Sequence, residues 1–319
     1  MIRALPAIVF LLAAVGFVPP ALATQYRTPL QAPPQVEIVE FEADPVSRMT
    51  VPIVINGVTH RFLVDSGSER TGISAELALQ LGLVRSTSQL VTGLAGNSWV
   101  PTYVVPSMVF ARGSKRNVQA LAFSRYAIGA DGFLGADTLS QQLVEFDFGR
   151  NRMSLRKAPA VAAASPLRRS ALVDVRLRNG RLVFTEARAD RVKIQAILDT
   201  GSSISIGNGA LRRELARRNR LGQVIPVTIL AVTGEPVAAD LVVAREVVIG
   251  DTLFRNMPIA FATIEPFVEL GFVDQPAMLL GMDALRLFER VAIDFRNKRV
   301  SFTTKDTGET GVNTHSTQW

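Results

Sequence analysis

The sequence holds no cysteine and only two histidines, His60 and His315. Disulfide frameworks, thiol nucleophiles, iron–sulfur clusters and cysteine-based zinc sites therefore have nothing to build on. A Ser-His-Asp hydrolase would depend on His60, because His315 stands in a polar tail, and no Gly-x-Ser-x-Gly elbow occurs. Aromatics make up 7% of the residues and do not interleave with the basic ones, which leaves no stacking platform for nucleic acid. Beyond the N-terminus no apolar run approaches the ~20 residues of a membrane-spanning helix. Acid–base chemistry falls to the carboxylates.

What is present describes a globular, exported protein. The 319 residues are 48% hydrophobic, with 23 Gly and 17 Pro dispersed along the chain, enough for two domains and a sizeable core. Arg3, the apolar stretch 8–17 and Ala21-Leu22-Ala23 have the order of an export signal: a positive start, a short apolar centre and a small-residue cleavage site. Residues 1–23 are expected to be removed, leaving a periplasmic or secreted chain. The formal net charge of +7 is mild. Much of it sits in Arg212, Arg213, Arg217, Arg218 and Arg220, interleaved with Leu211 and Leu215 at helical spacing after a capping Asn208. A solvated helix face is the plain reading of this cluster; contact with an anionic membrane surface or an acidic partner is the sharper one.

The chain repeats itself. Arg61-Phe62-Leu63-Val64 runs into Asp65-Ser66-Gly67-Ser68, and Gln195-Ala196-Ile197-Leu198 runs into Asp199-Thr200-Gly201-Ser202. Farther on, Gly132-Phe133-Leu134-Gly135-Ala136-Asp137 is matched by Met278-Leu279-Leu280-Gly281-Met282-Asp283, and closing hairpins follow around Asp147 and Asp294. A repeat of this length is a duplicated domain, not a solenoid unit. Strand patterns dominate at 36–41, 51–55, 62–64, 103–110, 119–123, 172–177, 224–231, 241–249 and 257–262, with Asn56-Gly57 as a hairpin turn. Helices are expected over 74–81, over 208–221 and briefly after each Leu-Gly. The resulting division is a loose segment 24–35, a first lobe 36–157, an Ala- and Pro-rich linker 158–170, a second lobe 171–304 and a disordered tail 305–319.

A carboxylate at the end of an apolar strand is costly to bury unless hydrogen bonds or a shared charge relieve it. Two copies related by an approximate two-fold axis provide that relief, because facing carboxyls cannot both ionise and hold one proton between them. One member is then a base and the other an acid at the same pH, able to activate a water for attack on an amide carbonyl without a metal or other cofactor. Gly67 and Gly201 allow the sharp turn, while Ser66 and Thr200 stand where they can bond across to the partner loop. The four-residue motif arises by chance in roughly one chain in a hundred, so two copies after apolar strands are no accident.

This combination resembles the aspartic peptidases, bilobal like pepsin but with halves closer to a retroviral protease subunit. The resemblance spans residues 36–304 and implies an all-β, pseudo-two-fold fold of two barrel lobes in which a strand bearing apolar-apolar-Gly threads the loop that carries each Asp. It implies Asp65 and Asp199 as catalytic residues, supported by Ser66, Gly67, Ser68, Thr200, Gly201 and Ser202. It also implies flaps over the substrate at 91–96, including Thr92, Gly93 and Leu94, and at 232–235, including Thr233 and Gly234. The flap tyrosine of pepsin-like enzymes has no counterpart at these tips, the nearest aromatics being Trp99 and Tyr103, which are candidates for the cleft, the surface or the core. Hydroxyls of Ser68 and Ser202 donating to the outer carboxylate oxygens would favour the ionised pair and an acid-shifted pH profile.

The other polar residues have plainer expectations: helix N-termini for Asp137 and Asp283, solvent for Asp147 and Asp294, and a surface edge for His60. The leading function is an exported aspartic endopeptidase acting as a monomer on polypeptides, with no nucleic-acid partner. A silent peptide-binding module using the same cleft and a purely structural β protein are the alternatives.

Overall fold

Asn56 and Gly57 take φ of 51° and 80°, the left-handed pair that a two-residue hairpin turn needs. They join Met49–Ile55 to Val58–Val64 with Ile53 opposite His60. The computed structural model describes residues 37–40, 42–43, 49–110, 113–160 and 170–304. The export segment 1–23, the segment 24–35, most of the linker and the tail 305–319 lie outside the described residues.

In the first half Val58–Val64 runs parallel to Gly132–Leu134, which pairs on its other side with Gly72–Ser74. Gly72–Ser74 continues to Gly113–Phe123 and that to Asn97–Phe110; Val109 returns to Val54 and closes a barrel. The second half repeats the plan. Gln195–Leu198 runs parallel to Ala277–Leu280, which pairs with Ile206–Gly207; Thr252–Phe261 and Pro236–Ile249 follow. Arg181–Phe184 and Ala187–Ala189 complete the wall, pairing with Gln195–Leu198 and Pro236–Ile249 respectively.

The halves share a sheet. Gln142–Asp147 pairs antiparallel with Arg290–Asp294, placing Val144 opposite Ile293 and Phe146 opposite Val291, all fully buried. Glu37–Glu40 and Arg152–Lys157 extend this sheet on one side, and Arg299–Thr303 and Ser170–Arg178 on the other. Phe184, Phe302, Phe288 and Phe254 form a chain of ring contacts at 5.8, 4.7 and 5.3 Å that ties the strands of the second half to the shared sheet. One core cluster therefore runs through both halves.

Expected strands form, and several extend past the bounds read from sequence. Asn97–Phe110 begins earlier than 103, and Val84–Thr92, with its exposed and polar side chains, has no alternating signal to reveal it. The Arg-rich helix covers Gly209–Arg217, capped by Asn208, whose side chain accepts the Leu211 N–H. Its cations are largely paired, Arg212 with Asp240 at 2.8 Å and Arg217 with Glu214 at 2.8 Å. Trp99 is exposed and Tyr103 packs against the core.

Three expectations are corrected. His60 is buried, at 8% exposure, because the period of two puts it on the inward face with Phe62 and Val64. Asp147 and Asp294 are buried rather than solvent-facing, since each carboxylate accepts a turn amide, from Arg150 and Asn297, both at 2.9 Å. Burial opposes ionisation of Asp147, but bonds from Arg150 and Arg290 outweigh it and hold its carboxyl below the ordinary value.

Candidate active site

Two loops of one design meet between the halves. The Asp65 N–H donates to the Leu134 carbonyl and the Asp199 N–H to the Leu280 carbonyl, each at 3.0 Å. Each Leu-Gly strand is thus held between the strand that leads into its Asp loop and the one that leaves it. Gly135 and Gly281 pass so close to the loop backbone at Arg70 and Ile204 that any Cβ there would collide with it, which accounts for glycine in both copies.

Each loop turns its own amides onto its carboxylate. Gly67 and Ser68 donate to Asp65 Oδ1 at 2.9 and 3.0 Å; Gly201 and Ser202 donate to Asp199 Oδ1 at 2.9 and 3.2 Å. The hydroxyls beside the aspartates reach across. Thr200 Oγ1 accepts the Ser66 N–H at 2.9 Å and donates to the Val64 carbonyl at 2.7 Å. In return Ser66 Oγ accepts the Thr200 N–H at 3.0 Å and donates to the Leu198 carbonyl at 3.3 Å. Ser66 and Thr200 are each 1% exposed, so these four bonds are shielded from water and fix the loops relative to one another.

The result is a carboxyl pair. A side chain at Gly67 would overlap the Asp199 carboxyl, and one at Gly201 would overlap that of Asp65, so each glycine vacates the space the opposite aspartate fills. The carboxyls are in hydrogen-bond contact. Burial pushes Asp199 above its ordinary value of 3.8, against the pull of the Gly201 amide, the Arg181 charge, the Ser202 amide and Asp65 itself. A raised carboxyl favours the folded state most when protonated: its contribution is full below the ordinary value and is lost as pH rises through the elevated folded value. Thermal melts of Asp199→Asn, which has no proton to lose there, are expected to be flatter across that interval than those of the natural chain.

The hydroxyls of Ser68 and Ser202 do not point at the outer carboxylate oxygens. They donate to the carbonyls of Arg70 and Ile204 in their own loops, both at 2.8 Å, because the backbone amides already occupy Oδ1 and the turn brings those carbonyls closer. The acid-shifting role expected of them is withdrawn. Ser68→Ala and Ser202→Ala are expected to leave the position of the pH profile unchanged and to lower stability by about 1 kcal/mol each; a displaced profile would restore the hydroxyl role.

A second brace repeats in both halves. Thr71 Oγ1 donates to Asp137 at 2.7 Å and accepts the Gly135 N–H at 3.3 Å; Ser205 Oγ donates to Asp283 at 2.7 Å and accepts the Gly281 N–H at 3.0 Å. Asp137 and Asp283 do stand in the first turns of short helices, and also tie those helices to the Asp loops. The repeat carried the signal, since Thr71 and Ser205 lie at matching positions after Ser68 and Ser202.

The candidate flaps are hairpins. Val84–Thr92 and Asn97–Phe110 meet at a tip closed by Gly93 N–H to the Gly96 carbonyl at 2.8 Å, and Ile225–Leu230 and Pro236–Ile249 at one closed by Gly234 N–H to the Ala231 carbonyl at 2.9 Å. Each tip docks on the opposite half. Leu94 packs against the cluster containing Ile264 and Phe267, and its carbonyl accepts the Glu265 N–H at 3.1 Å. Val232 packs with Val91 against the cluster containing Leu63, Phe123 and Phe133. Thr233 lies against Gly93, so the tips touch. Ile264, Phe267, Glu265 and Arg181 are site neighbours that the sequence alone did not single out.

A family model described as aspartyl protease matches the chain twice, over residues 51–138 and 173–284. The two matches contain Asp65 and Asp199 respectively and coincide with the structural repeat. No curated protein matches the chain.

Proposed function

The chain belongs to the aspartyl protease family, and from that premise we propose that it is an exported endopeptidase whose Asp65/Asp199 pair activates a water for hydrolysis of peptide bonds. The observation that carries this reading is the mutual contact of the two carboxyls, each fitted over the other loop's glycine.

The chemistry follows from one shared proton. The ionised carboxyl takes a proton from water as its oxygen attacks the peptide carbonyl carbon, and the protonated carboxyl gives its proton to the carbonyl oxygen. The tetrahedral diol then loses a proton to the pair, which protonates the departing nitrogen as the C–N bond breaks. The pair ends with the single proton it began with. Amides of Gly67, Ser68, Gly201 and Ser202 hold the inner oxygens in place, so little reorganisation accompanies the step.

The substrate is an extended polypeptide segment. An extended segment lying beneath the two hairpins could add strand-like hydrogen bonds to them. Both halves of the site come from one chain, which makes a monomer sufficient. Export rests on the N-terminal signal pattern. The test is to incubate the mature chain with unfolded casein from acid to neutral pH in the presence of a chelator and to identify new termini by mass spectrometry. Cleavage within extended apolar stretches is expected, and its absence at every pH, with the chain folded, would overturn the proposal.

A further inference from the structure

Arg181 begins the Arg181–Phe184 strand, where Leu182 stands opposite Leu198, the residue that precedes Asp199. Its side chain is buried, with 9% of the residue exposed, an unusual setting for a cation. Nε donates to the Gly67 carbonyl in the other half's loop at 3.1 Å, and Nη1 pairs with Glu269 Oε2 at 2.7 Å. That carbonyl belongs to the same peptide unit as the Ser68 N–H, which donates to Asp65 Oδ1. A donor on a carbonyl polarises its amide and strengthens the N–H on the far side. One cation therefore acts on both aspartates, through space on Asp199 and through a single peptide unit on Asp65.

Glu269 closes the helix Glu265–Glu269, whose leading N–H, from Glu265, holds the Leu94 carbonyl of the first hairpin tip. Among the described residues the charged groups around Arg181 are thus Glu269, the aspartate pair, Glu69, whose side chain lies against the neighbouring Gly180, and Arg178, which stands opposite Arg181 on the paired strand with its guanidinium over the Phe272 ring.

We propose that Arg181 is a positioning residue for the Asp65/Asp199 pair, gripping the Asp65 loop by its Gly67 carbonyl while Glu269 balances its charge. This rests on the reading of the two aspartates as the reacting groups. A mere brace and a charge-balancing device differ in sign. Loss of the cation makes a second negative charge at the pair harder to form, so its titration moves to higher pH. Loss of the Glu269 charge leaves the cation uncompensated, so the titration moves to lower pH.

The experiment follows the aspartate carboxyl carbons by NMR in the full mature chain labelled at those atoms, beside kcat–pH profiles on unfolded casein. Arg181→Met is expected to raise the titration of the pair by about 1 pH unit, Glu269→Gln to lower it, and Arg181→Lys to restore most of the Met variant's shift. The kcat profiles move with them. Shifts in the same direction for Arg181→Met and Glu269→Gln, or no shift in either, overturn the proposal. Should Arg181→Met not fold, the sign of the Glu269→Gln shift decides alone. Opposite shifts in a chain that cuts nothing would sink the hydrolase reading and leave the positioning role standing; normal cleavage with unmoved titrations would do the reverse.

Discussion

Asp65→Asn and Asp199→Asn, made singly, are each expected to lower kcat by on the order of 10⁴-fold, because groups that act as a unit fail together when either is removed. Asparagine fills the same volume and its carbonyl oxygen can still accept the paired amides from the loop, so the turn geometry survives. What it cannot do is take a proton from water or pass one to a carbonyl oxygen. The two variants should therefore be equally inactive, and the double variant hardly worse than either. Circular dichroism and thermal melts establish that the fold is retained, and a single variant that still cleaves near the natural rate would remove its aspartate from the chemistry.

Thr200→Val is expected to produce a large loss of stability for a substitution that preserves side-chain shape. It strands the Ser66 N–H and the Val64 carbonyl, both within a region 1% exposed at Ser66 and at Thr200. Each orphaned buried group costs about 1–3 kcal/mol, so the pair amounts to about 2–6 kcal/mol. Thr200→Ser keeps the hydroxyl and should cost about 1 kcal/mol, mainly from lost methyl burial. Because the bonds cross between the halves, activity should fall as well, although Thr200 takes no part in proton transfer. Equal melting temperatures for the Val and Ser variants would show that the crossed hydroxyls do not hold the loops together. Ser66→Ala strands the reciprocal groups, the Thr200 N–H and the Leu198 carbonyl, and should couple strongly with Thr200→Val in a double-mutant cycle.

Most of this architecture was legible because the chain contains its own comparison. The doubled Asp-Ser/Thr-Gly-Ser and Leu-Gly motifs located the loops, the threading strands and the crossed hydroxyls, since the same small set of residues has to solve the same steric problem twice. Contacts made between elements that do not repeat were not legible. Arg181 reads as one arginine among many until Gly67 and Glu269 are brought beside it, and no local pattern announces a salt bridge spanning 88 residues. The Ser68 and Ser202 hydroxyls illustrate another limit: the direction of an O–H is decided by which acceptor the turn brings nearest, here the Arg70 and Ile204 carbonyls. His60 is polar, yet the alternation of its own strand points it inward.

The strand ladder between Gln142–Asp147 and Arg290–Asp294 has a further consequence. Severed from its counterpart, either half would carry one of these segments as an open sheet margin with an apolar face, Val144 and Phe146 in one case, Val291 and Ile293 in the other. Such a margin recruits the first complementary strand it meets, another molecule of the same fragment included. Tethering both margins within a single polypeptide makes their meeting a local event, favoured over encounters between molecules by the high effective concentration of linked partners.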